Sequence, residues 1–388
     1  MNFELSDEQR LFAENVRRFA RSELADGALK RAHQSEFPFD VAGLMARQGL
    51  LGITIPEEDG GQGGSLMDAV IAIEQVALVC PRSADVVQAG NFGPLRTFAE
   101  YANPELKARW LPDLLAGKIA ISLGMTEPEA GSAVTDLKAT AKPSGSDFLI
   151  NGTKIFGTHS PDASLYLVYV RFGPGVDGIG SVIVERGTPG LHVGQPSPLL
   201  GGENWCQLYF DDCRIPASNV LLGPGGFRKQ MAGFNVERIG NAARSLALGR
   251  YAYELAREHV QQRRQFGRLL CEFQGLQWSF ADMMIKLEAA QLLLYRAATN
   301  ADRGLPSAFE TSVAKTMCNK AGFEVADAAM QAMGGIGYSQ EHLVEYCFRR
   351  TRGWMIAGGS TEILKNRIAE TIFDRRFSQR GSASRAIG

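Results

Sequence analysis

The stretch that decides the fold runs from Ile239 to Val260 and reads IGNAARSLALGRYAYELAREHV. Small and apolar residues recur in it at intervals of three and four, which is the spacing of one face of an α-helix. The residues of this face are Ile239, Ala242, Leu246, Gly249, Tyr253, Ala256 and Val260. Because alanine and glycine let a second helix approach closely, the sequence predicts a long helix at the centre of a helical bundle.

Helical texture continues on the C-terminal side of this stretch. We expect further helices over residues 273–302, 308–333 and 361–373, followed by a polar tail after Arg376. Residues 227–388 are therefore predicted to form a C-terminal helical bundle.

The pattern of residue types is different on the N-terminal side of this stretch. Residues 119–226 contain short β-branched and aromatic runs separated by Gly, Pro and Asp, which predicts a β domain. Within it, the pair Asn151-Gly152 indicates a hairpin turn. Residues 1–118 have helical periodicity again, and Ser6 with Gln9 forms a capping-box pattern at the first helix. The predicted fold is mainly α with a central β domain.

Composition excludes several classes of protein. The chain has 388 residues, 45% of them hydrophobic and 21% charged, with a formal net charge of −1. This balance is typical of globular proteins and gives no broad attraction to nucleic acid or to an anionic membrane. No apolar run reaches the roughly eighteen residues of a membrane helix, and the N-terminus does not resemble a signal peptide. The six cysteines lack metal-ligand spacing, so we predict a cytoplasmic protein without a metal site.

Four loops have the composition of ligand-binding segments. They are GMTEPEAGS (124–132), KIFGTHS (154–160), QRRQFG (262–267) and QAMGGIGY (331–338). Each has an ordinary structural alternative, respectively a strand-entry turn, a core aromatic residue, solvated arginines and a helix C-cap. A fifth segment, IAGGSTEI (356–363), places two glycines before a helix start, where a ligand can approach the backbone closely.

Taken together and in this order, the five motifs make the whole chain resemble the acyl-CoA dehydrogenase family of FAD enzymes. The resemblance implies a helical N-terminal domain, a small β-barrel and a C-terminal four-helix bundle. It also implies an acyl-CoA substrate, electron transfer to an electron-transferring flavoprotein, and assembly as a homotetramer, or dimer of dimers, with FAD near a subunit interface.

The resemblance also assigns FAD contacts. It implies that these are made by Met125, Thr126, Ser132, Phe156, Thr158, Arg263, Gln265, Phe266, Gln274, Gln331, Gly335, Ser360 and Glu362. Among them Phe156 is expected to pack on the flavin ring and Thr158 to lie near flavin N5. Arg263, Gln265, Phe266, Gln331 and Gly335 are expected to reach the FAD of a neighbouring subunit.

The catalytic base is the most specific prediction. In this family a carboxylate removes the α-proton of the thioester, and a dry pocket raises its pKa to a useful range. Many members have this glutamate in the late turn, at the place of Gly358 here. Others place it before an arginine on the first long C-terminal helix, where this chain has Glu237 and Arg238. We therefore predict Glu237 as the base, with the Gly358 N–H as an oxyanion donor.

Two alternatives to Glu237 as the catalytic base remain. Glu237 could instead complement the helix dipole in the first turn of a helix, or the base could be Glu362, a second acid close to Gly358.

Three further positions depart from the family pattern and affect the expected active-site wall. Gly201 stands at an Arg place, Trp205 at a Thr place and Glu129 at a Gly place.

The predicted function is FAD-dependent α,β-dehydrogenation of an acyl-CoA, with a branched, cyclic or otherwise bulky acyl group. The alternatives are an enoyl-CoA reductase of the crotonobetainyl-CoA type, oxidation of an acyl group on a carrier protein, and a non-catalytic flavoprotein. A nucleic-acid-associated member would need a basic patch, which the near-neutral charge does not provide.

Overall fold

A computed structural model describes residues 4–302 and 307–379. Its N-terminal part consists of α-helices with one short 3-10 turn, Glu57–Asp59, in the glycine-rich loop. The helices are α1 (Asp7–Glu23), α2 (Ala28–Ala32), α3 (Phe39–Arg47), α4 (Leu66–Ala77), α5 (Ala84–Ala89), α6 (Gly93–Tyr101) and α7 (Pro104–Leu115). The predicted capping box begins α1: the Gln9 N–H donates to Ser6 Oγ, and the Ser6 N–H donates to Gln9 Oε1.

The central part is a single twisted sheet. Its strands are β1 (Ile121–Gly124), β2 (Thr140–Ser144), β3 (Asp147–Thr158), β4 (Leu165–Arg171), β5 (Ile179–Glu185), β6 (Leu191–Val193), β7 (Ser197–Pro198), β8 (Asn204–Pro216) and β9 (Val220–Leu222). They follow the order β6-β8-β3-β2-β4-β5-β9, with β1 beside β4 and β7 beside β8. The long antiparallel pair β3 and β8 carries the surface on which the candidate cofactor residues lie.

The predicted hairpin turn at Asn151-Gly152 is wrong. Both residues lie inside β3, at a bulge opposite β8, and the tight turn is the link between Ser144 and Asp147. The Asn151 side chain forms two hydrogen bonds of 2.9 Å with Asp212 of β8. Asn151 Nδ2 donates to Asp212 Oδ1, and the Asp212 backbone N–H donates to Asn151 Oδ1. A β-carbon at Gly152 would lie 2.7 Å from Ala139, so this glycine serves close packing within the sheet.

The C-terminal part is the predicted helical bundle. Its helices are α8 (Phe227–Gln262), α9 (Gln274–Ala301), α10 (Ala308–Met333), α11 (Gly335–Tyr338), α12 (Leu343–Trp354) and α13 (Thr361–Ile372), and a short hairpin of β10 (Arg264–Gln265) and β11 (Arg268–Leu269) joins α8 to α9. Gly334 ends α10 as predicted, with φ of 65°.

The small and apolar face of α8 is buried along its whole predicted length. It meets α10 at two facing glycines, since a β-carbon at Gly249 would lie 2.7 Å from the Gly322 Cα. On another side α8 packs against α4, α5 and α6 of the N-terminal part. The predicted fold class, mainly α with a central β domain, is confirmed. Among the helices described, none has the length and apolar character to cross a membrane.

Candidate active site

Glu237 lies about three turns inside α8, which begins at Phe227. The helix thus starts earlier than the periodic stretch from Ile239 to Val260 predicted. Because the dipole effect is confined to the first turn of a helix, the dipole alternative for Glu237 is wrong.

The Glu237 side chain is partly buried, and its carboxyl group faces α5 and the start of α6. Its Oε1 accepts a hydrogen bond of 3.0 Å from Gln88 Nε2, on α5. Its Oε2 is buried and has no hydrogen-bond partner within residues 4–302 and 307–379, and a β-carbon at Gly93 would lie 3.0 Å from it. Burial raises the pKa of Glu237 to about 8, although Gln88 and the charge of Lys315 act in the opposite direction. An acid with these properties can accept a proton near neutral pH.

The late turn reaches the same face of α8. Gly358 has φ of 67°, and a β-carbon there would lie 2.5 Å from Nδ2 of Asn241, one helical turn after Glu237. Gly359 also has a positive φ, of 92°, and its missing β-carbon faces the Arg238 guanidinium at 3.8 Å. The structure therefore brings Glu237, Arg238 and the Gly-Gly turn together.

A buried lysine holds the late turn in place. Lys315 of α10 is fully buried, and its Nζ donates to the carbonyl oxygens of Trp354 at 3.1 Å, Ala357 at 2.9 Å and Gly359 at 3.1 Å. Burial, with the charge of Arg238, lowers the pKa of Lys315 to about 7. The three carbonyl oxygens satisfy all three ammonium donors, so Lys315 fixes the backbone on which Gly358 lies.

Gln88, Asn241 and Lys315 are site residues that the sequence reasoning missed. A signal was present for one of them: Lys315 falls among Thr311, Ala314, Cys318 and Gly322, on the small and apolar face of α10. A lysine in such a position is unusual unless its charge has buried partners.

Glu362 does not fit the role of a base in a dry pocket. Its side chain is exposed in the first turn of α13, and hydrogen bonds from the helix backbone and Ser360 lower its pKa. The Ser360 hydroxyl caps this helix by accepting from the Ile363 N–H at 3.4 Å. Of the two acids considered as the base, Glu237 is the one whose pKa is raised by burial into the range needed for proton abstraction.

The loop from Met125 to Ser132 is clamped onto β3 by a buried ion pair. Lys154 Nζ lies 2.7 Å from Glu127 Oε1, and both side chains are buried. Glu127 also accepts from the backbone N–H groups of Lys138 and Ala139 at 2.6 and 2.9 Å. The loop is further tied to the strand because the Ile155 N–H donates to the Thr126 carbonyl oxygen at 2.9 Å.

Phe156 and Thr158 form an exposed face at the end of β3. The Phe156 side chain is 54% exposed, its φ is 58°, and Thr158 is exposed beside it. The Trp205 ring lies 4.5 Å from the Phe156 ring, and Trp205 pairs with Thr158 in the sheet. Trp205, which stands where the family often has threonine, thus forms an aromatic wall together with Phe156. An exposed aromatic wall beside a hydroxyl can pack a flat heterocycle and hydrogen-bond its edge.

Comparison with known proteins decides what this arrangement is. Family profiles for the N-terminal, middle and C-terminal domains of acyl-CoA dehydrogenase match residues 6–118, 122–213 and 224–373. The chain belongs to the acyl-CoA dehydrogenase family. This confirms the resemblance, the FAD cofactor and the activity, an oxidation at the CH–CH bond of an acyl-CoA thioester.

Individual relatives match this acyl-CoA dehydrogenase over 92–98% of its length. A 3-sulfinopropanoyl-CoA desulfinase of Paraburkholderia xenovorans (strain LB400) is 34% identical over 98% of this chain and 100% of its own length. An acyl-CoA dehydrogenase of Bacillus subtilis (strain 168) is 35% identical over 92% of this chain and 96% of its own. A solved glutaryl-coenzyme A dehydrogenase with glutaryl-CoA superposes with a TM-score of 0.92, at 29% identity and 98% coverage of both chains.

The residues around β3 fit the FAD of this family. The exposed Phe156 and Thr158 offer a ring contact and a hydroxyl, and Ser132 is exposed in the clamped loop. The second group of expected FAD contacts consists of the five residues expected to reach the FAD of a neighbouring subunit. They are Arg263, Gln265, Phe266, Gln331 and Gly335, and all five are exposed, as is Gln274. Phe266 is the extreme case, 93% exposed at the tip of the β10–β11 hairpin with φ of 52°. In the part of the chain described, no hydrogen bond or ring contact joins this second group to the β3 group.

Proposed function

We propose that Glu237 is the base that removes the α-proton in this acyl-CoA dehydrogenase. One observation carries the proposal: a buried carboxyl oxygen, without a hydrogen-bond partner among the described residues, lies on the same face of α8 as the late turn. FAD, when bound, supplies the acceptor for the hydride that leaves the β-carbon. The remaining steps belong to side chains and backbone groups of this chain.

Proton transfer follows from the surroundings of Glu237. The Gln88 hydrogen bond fixes Oε1, so Oε2 is the atom that receives the α-proton. Burial favours the neutral carboxylic acid, which stabilises the acid formed by the transfer. The thioester oxygen gains negative charge at the same moment, and we assign the Gly358 N–H as its hydrogen-bond donor. Lys315 positions that N–H through the three carbonyl oxygens that it binds.

We further propose that FAD lies between two copies of the chain. The exposed second group of FAD contacts, which makes no hydrogen bond or ring contact with the β3 group among the described residues, supports this arrangement. A second support is α9, on which Trp278, Ile285 and Leu292 are large, exposed and spaced by seven residues. Such a stripe on one helix face is typical of a protein interface, as a homotetramer, or dimer of dimers, requires.

The electron acceptor, location and acyl group are also proposals. An electron-transferring flavoprotein is the proposed acceptor, in keeping with the family. The cytoplasm is the proposed location, because the six cysteines are unpaired thiols. A bulky acyl group beside Gly358 finds no support, since Asn241 and Lys315 lie 2.5 and 3.5 Å from the place of a β-carbon there.

The experiment is an anaerobic titration of the purified holoenzyme with acyl-CoA thioesters of different chain length, branching and charge, followed by flavin absorbance. At least one thioester is expected to bleach the flavin. Enoyl-CoA added to the reduced enzyme tests the reverse direction, and carrier-protein thioesters test the alternative carrier. Failure of every CoA thioester to exchange electrons with the flavin would rule out the proposal.

A further inference from the structure

A cluster of five charged side chains is buried beside Glu237 and has no part in the proton transfer. Its members are Arg82, Asp85, Glu203, Arg244 and Arg350, each between 1% and 5% exposed. They come from the start of α5, from α8 and α12, and from the residue before β8. We call them the arginine cluster.

Ion pairs connect the members of the arginine cluster. Asp85 is shared by three guanidinium groups: Arg82 Nη1 at 2.6 Å, Arg350 Nη2 at 3.2 Å, and Arg244 in direct contact. Glu203 pairs with Arg350. A β-carbon at Gly201 would lie 2.5 Å from Glu203 Oε2 and 3.1 Å from Arg350 Cδ. Gly201, which stands where the family often has arginine, therefore leaves room for the ion pair between Glu203 and Arg350.

The cluster has an excess of one positive charge. Three guanidinium groups face two carboxylates, and arginine stays protonated in proteins. Burial, together with the charge of Arg350, lowers the pKa of Arg244 well below its ordinary value. Within the described residues, the Nε–H groups of Arg244 and Arg350 have no acceptor. Because buried charges in folded proteins are normally paired, an anion is missing from this site.

The neighbouring titratable groups do not supply that anion. Asp162 feels the charge of Arg82, but it is half-buried and also faces the charge of Arg186. Its carboxylate accepts from the Phe37 N–H at 3.0 Å. Glu237, with its pKa near 8, is largely protonated at neutral pH. The Tyr346 hydroxyl is buried and its pKa is raised, chiefly by burial. His159 stays neutral, since burial and the charges of Arg82 and Arg350 lower its pKa well below the ordinary value.

One side chain links the arginine cluster to the base. Gln88 Nε2 donates to Glu237 Oε1 at 3.0 Å and to Asn241 Oδ1 at 2.6 Å, while Gln88 Oε1 accepts from Arg244 Nη1 at 3.0 Å. Glu237 and Arg244 lie two turns apart on α8, about 10 Å along the helix axis. An acyl chain with its α-carbon at Glu237 therefore needs only a few more carbons to reach the cluster.

A small cavity lies in the same region. It has a volume of about 50 Å³, and its wall includes Thr158, His159, Val86, Ala89 and Leu95. Val86 follows Arg82 by one turn, and the buried Nδ1 of His159 has no partner among the residues described. The cavity is bordered by Thr158, on the expected FAD side, and by Val86, which follows Asp85 in the chain; Glu237 and the five cluster residues do not line it.

We propose that the arginine cluster binds the distal end of the acyl chain, so that the substrate is an acyl-CoA ending in a carboxylate or a similar oxyanion. This inference rests on the proposed function, because Glu237 fixes the position of the α-carbon. The distal anion neutralises the excess guanidinium charge and provides the missing acceptor. Of the two-turn separation of about 10 Å, contacts of about 3 Å to Glu237 and to the guanidinium group leave about 4 Å, or roughly three carbon–carbon bonds beyond the α-carbon, which suits an acyl group of roughly four to six carbons.

The test compares thioesters of equal chain length that differ in distal charge. Anaerobic flavin reduction of the holoenzyme is measured with glutaryl-CoA against pentanoyl-CoA, and with 3-sulfinopropanoyl-CoA against butyryl-CoA to separate carboxylate from sulfinate recognition. We expect kcat/KM to favour an anionic member by at least about tenfold, the effect of one charge-assisted contact. Equal or better use of both neutral members would overturn the inference.

Binding is measured separately on Glu237→Gln, which should hold thioesters without turning them over. Tighter binding of glutaryl-CoA in this variant, with no reduction by the wild type, would refute the proposed function and leave the inference standing. Equal Kd values for glutaryl-CoA and pentanoyl-CoA would refute the inference alone.

Arg82→Met leaves two cations for two anions, so the fold should be retained. It is expected to raise KM for the anionic thioester and to bring the preference down to about one. Arg82→Lys should restore part of the preference. The matched control is Arg257→Met, at an exposed position of α8, and it should keep the full preference. If both Arg82→Met and Arg350→Met fold and keep the preference, the assignment of this site is wrong.

Discussion

Replacing Glu237 by glutamine removes the proposed base with little change of shape. The amide has nearly the same size and keeps an oxygen for the hydrogen bond from Gln88. General-base catalysis contributes about 10² to 10⁴ in rate, so Glu237→Gln should slow flavin reduction by at least about a hundredfold. The substrate Kd and the FAD content should stay near their wild-type values.

The pKa of Glu237 sets the expected pH dependence. With a pKa of about 8, roughly one tenth of the carboxyl group is ionised at pH 7. The reduction rate of the wild type should therefore rise about tenfold as the pH increases through 8, and Glu237→Gln should lack this rise. Stopped-flow absorbance of the flavin, under anaerobic conditions and with saturating thioester, measures both effects.

Two comparisons make this prediction refutable. Glu258→Gln changes an exposed acid on the same helix and should reduce flavin at the wild-type rate. If Glu237→Gln also reduced flavin at that rate with the same pH profile, Glu237 would not be the base. Loss of reduction in Glu362→Gln alone would move the role to Glu362.

The remaining predictions concern the late turn, the loop clamp and stability. Gly358→Ala places a side chain at positive φ against Asn241 and should cost about 1–3 kcal/mol in thermal unfolding, whereas Gly353→Ala, with open space around it, should cost nothing. Lys315→Met should lower kcat with FAD content unchanged, because the turn loses three hydrogen bonds; an unchanged kcat would contradict its positioning role. Glu127→Gln leaves Lys154 buried without its carboxylate and should cost about 3–5 kcal/mol in chemical denaturation. The pKa of Glu237 is raised from 4.5 in the folded state, so between pH 4.5 and 8 the folded state retains a proton that the unfolded state has released. The free energy of unfolding of the wild type should therefore fall relative to that of Glu237→Gln as the pH rises from about 4.5 to 8. The expected fall is up to about 1.4 kcal/mol per pH unit.

The helices could be predicted from the sequence because their signals are local, whereas the association of Glu237 with Gly358 is implied by the resemblance to the family. The small-residue spacing of α8 depends on one helix face, and the absence of an acid at Gly358 can be read in a single motif. Two local signals failed. At Asn151-Gly152 the pairing with β8 overrides the turn preference, and the start of α8 at Phe227 precedes the apolar periodicity.

The surroundings of the base could not be predicted, because their members are far apart in sequence. Gln88 meets Glu237 across 149 positions, and Lys315 meets Ala357 across 42. The charge count of the arginine cluster likewise depends on four segments that only the fold brings together. No periodicity or spacing reports such contacts.

The most direct test of the central claim follows the α-proton itself. A thioester with sulfur in place of its β-carbon has no β-hydride to give up, so loss of the α-proton can be observed alone. NMR in D₂O should show the wild-type holoenzyme exchanging the α-hydrogens of this compound for deuterium, and Glu237→Gln leaving them in place. Exchange by Glu237→Gln at the wild-type rate would contradict the assignment of Glu237 as the base.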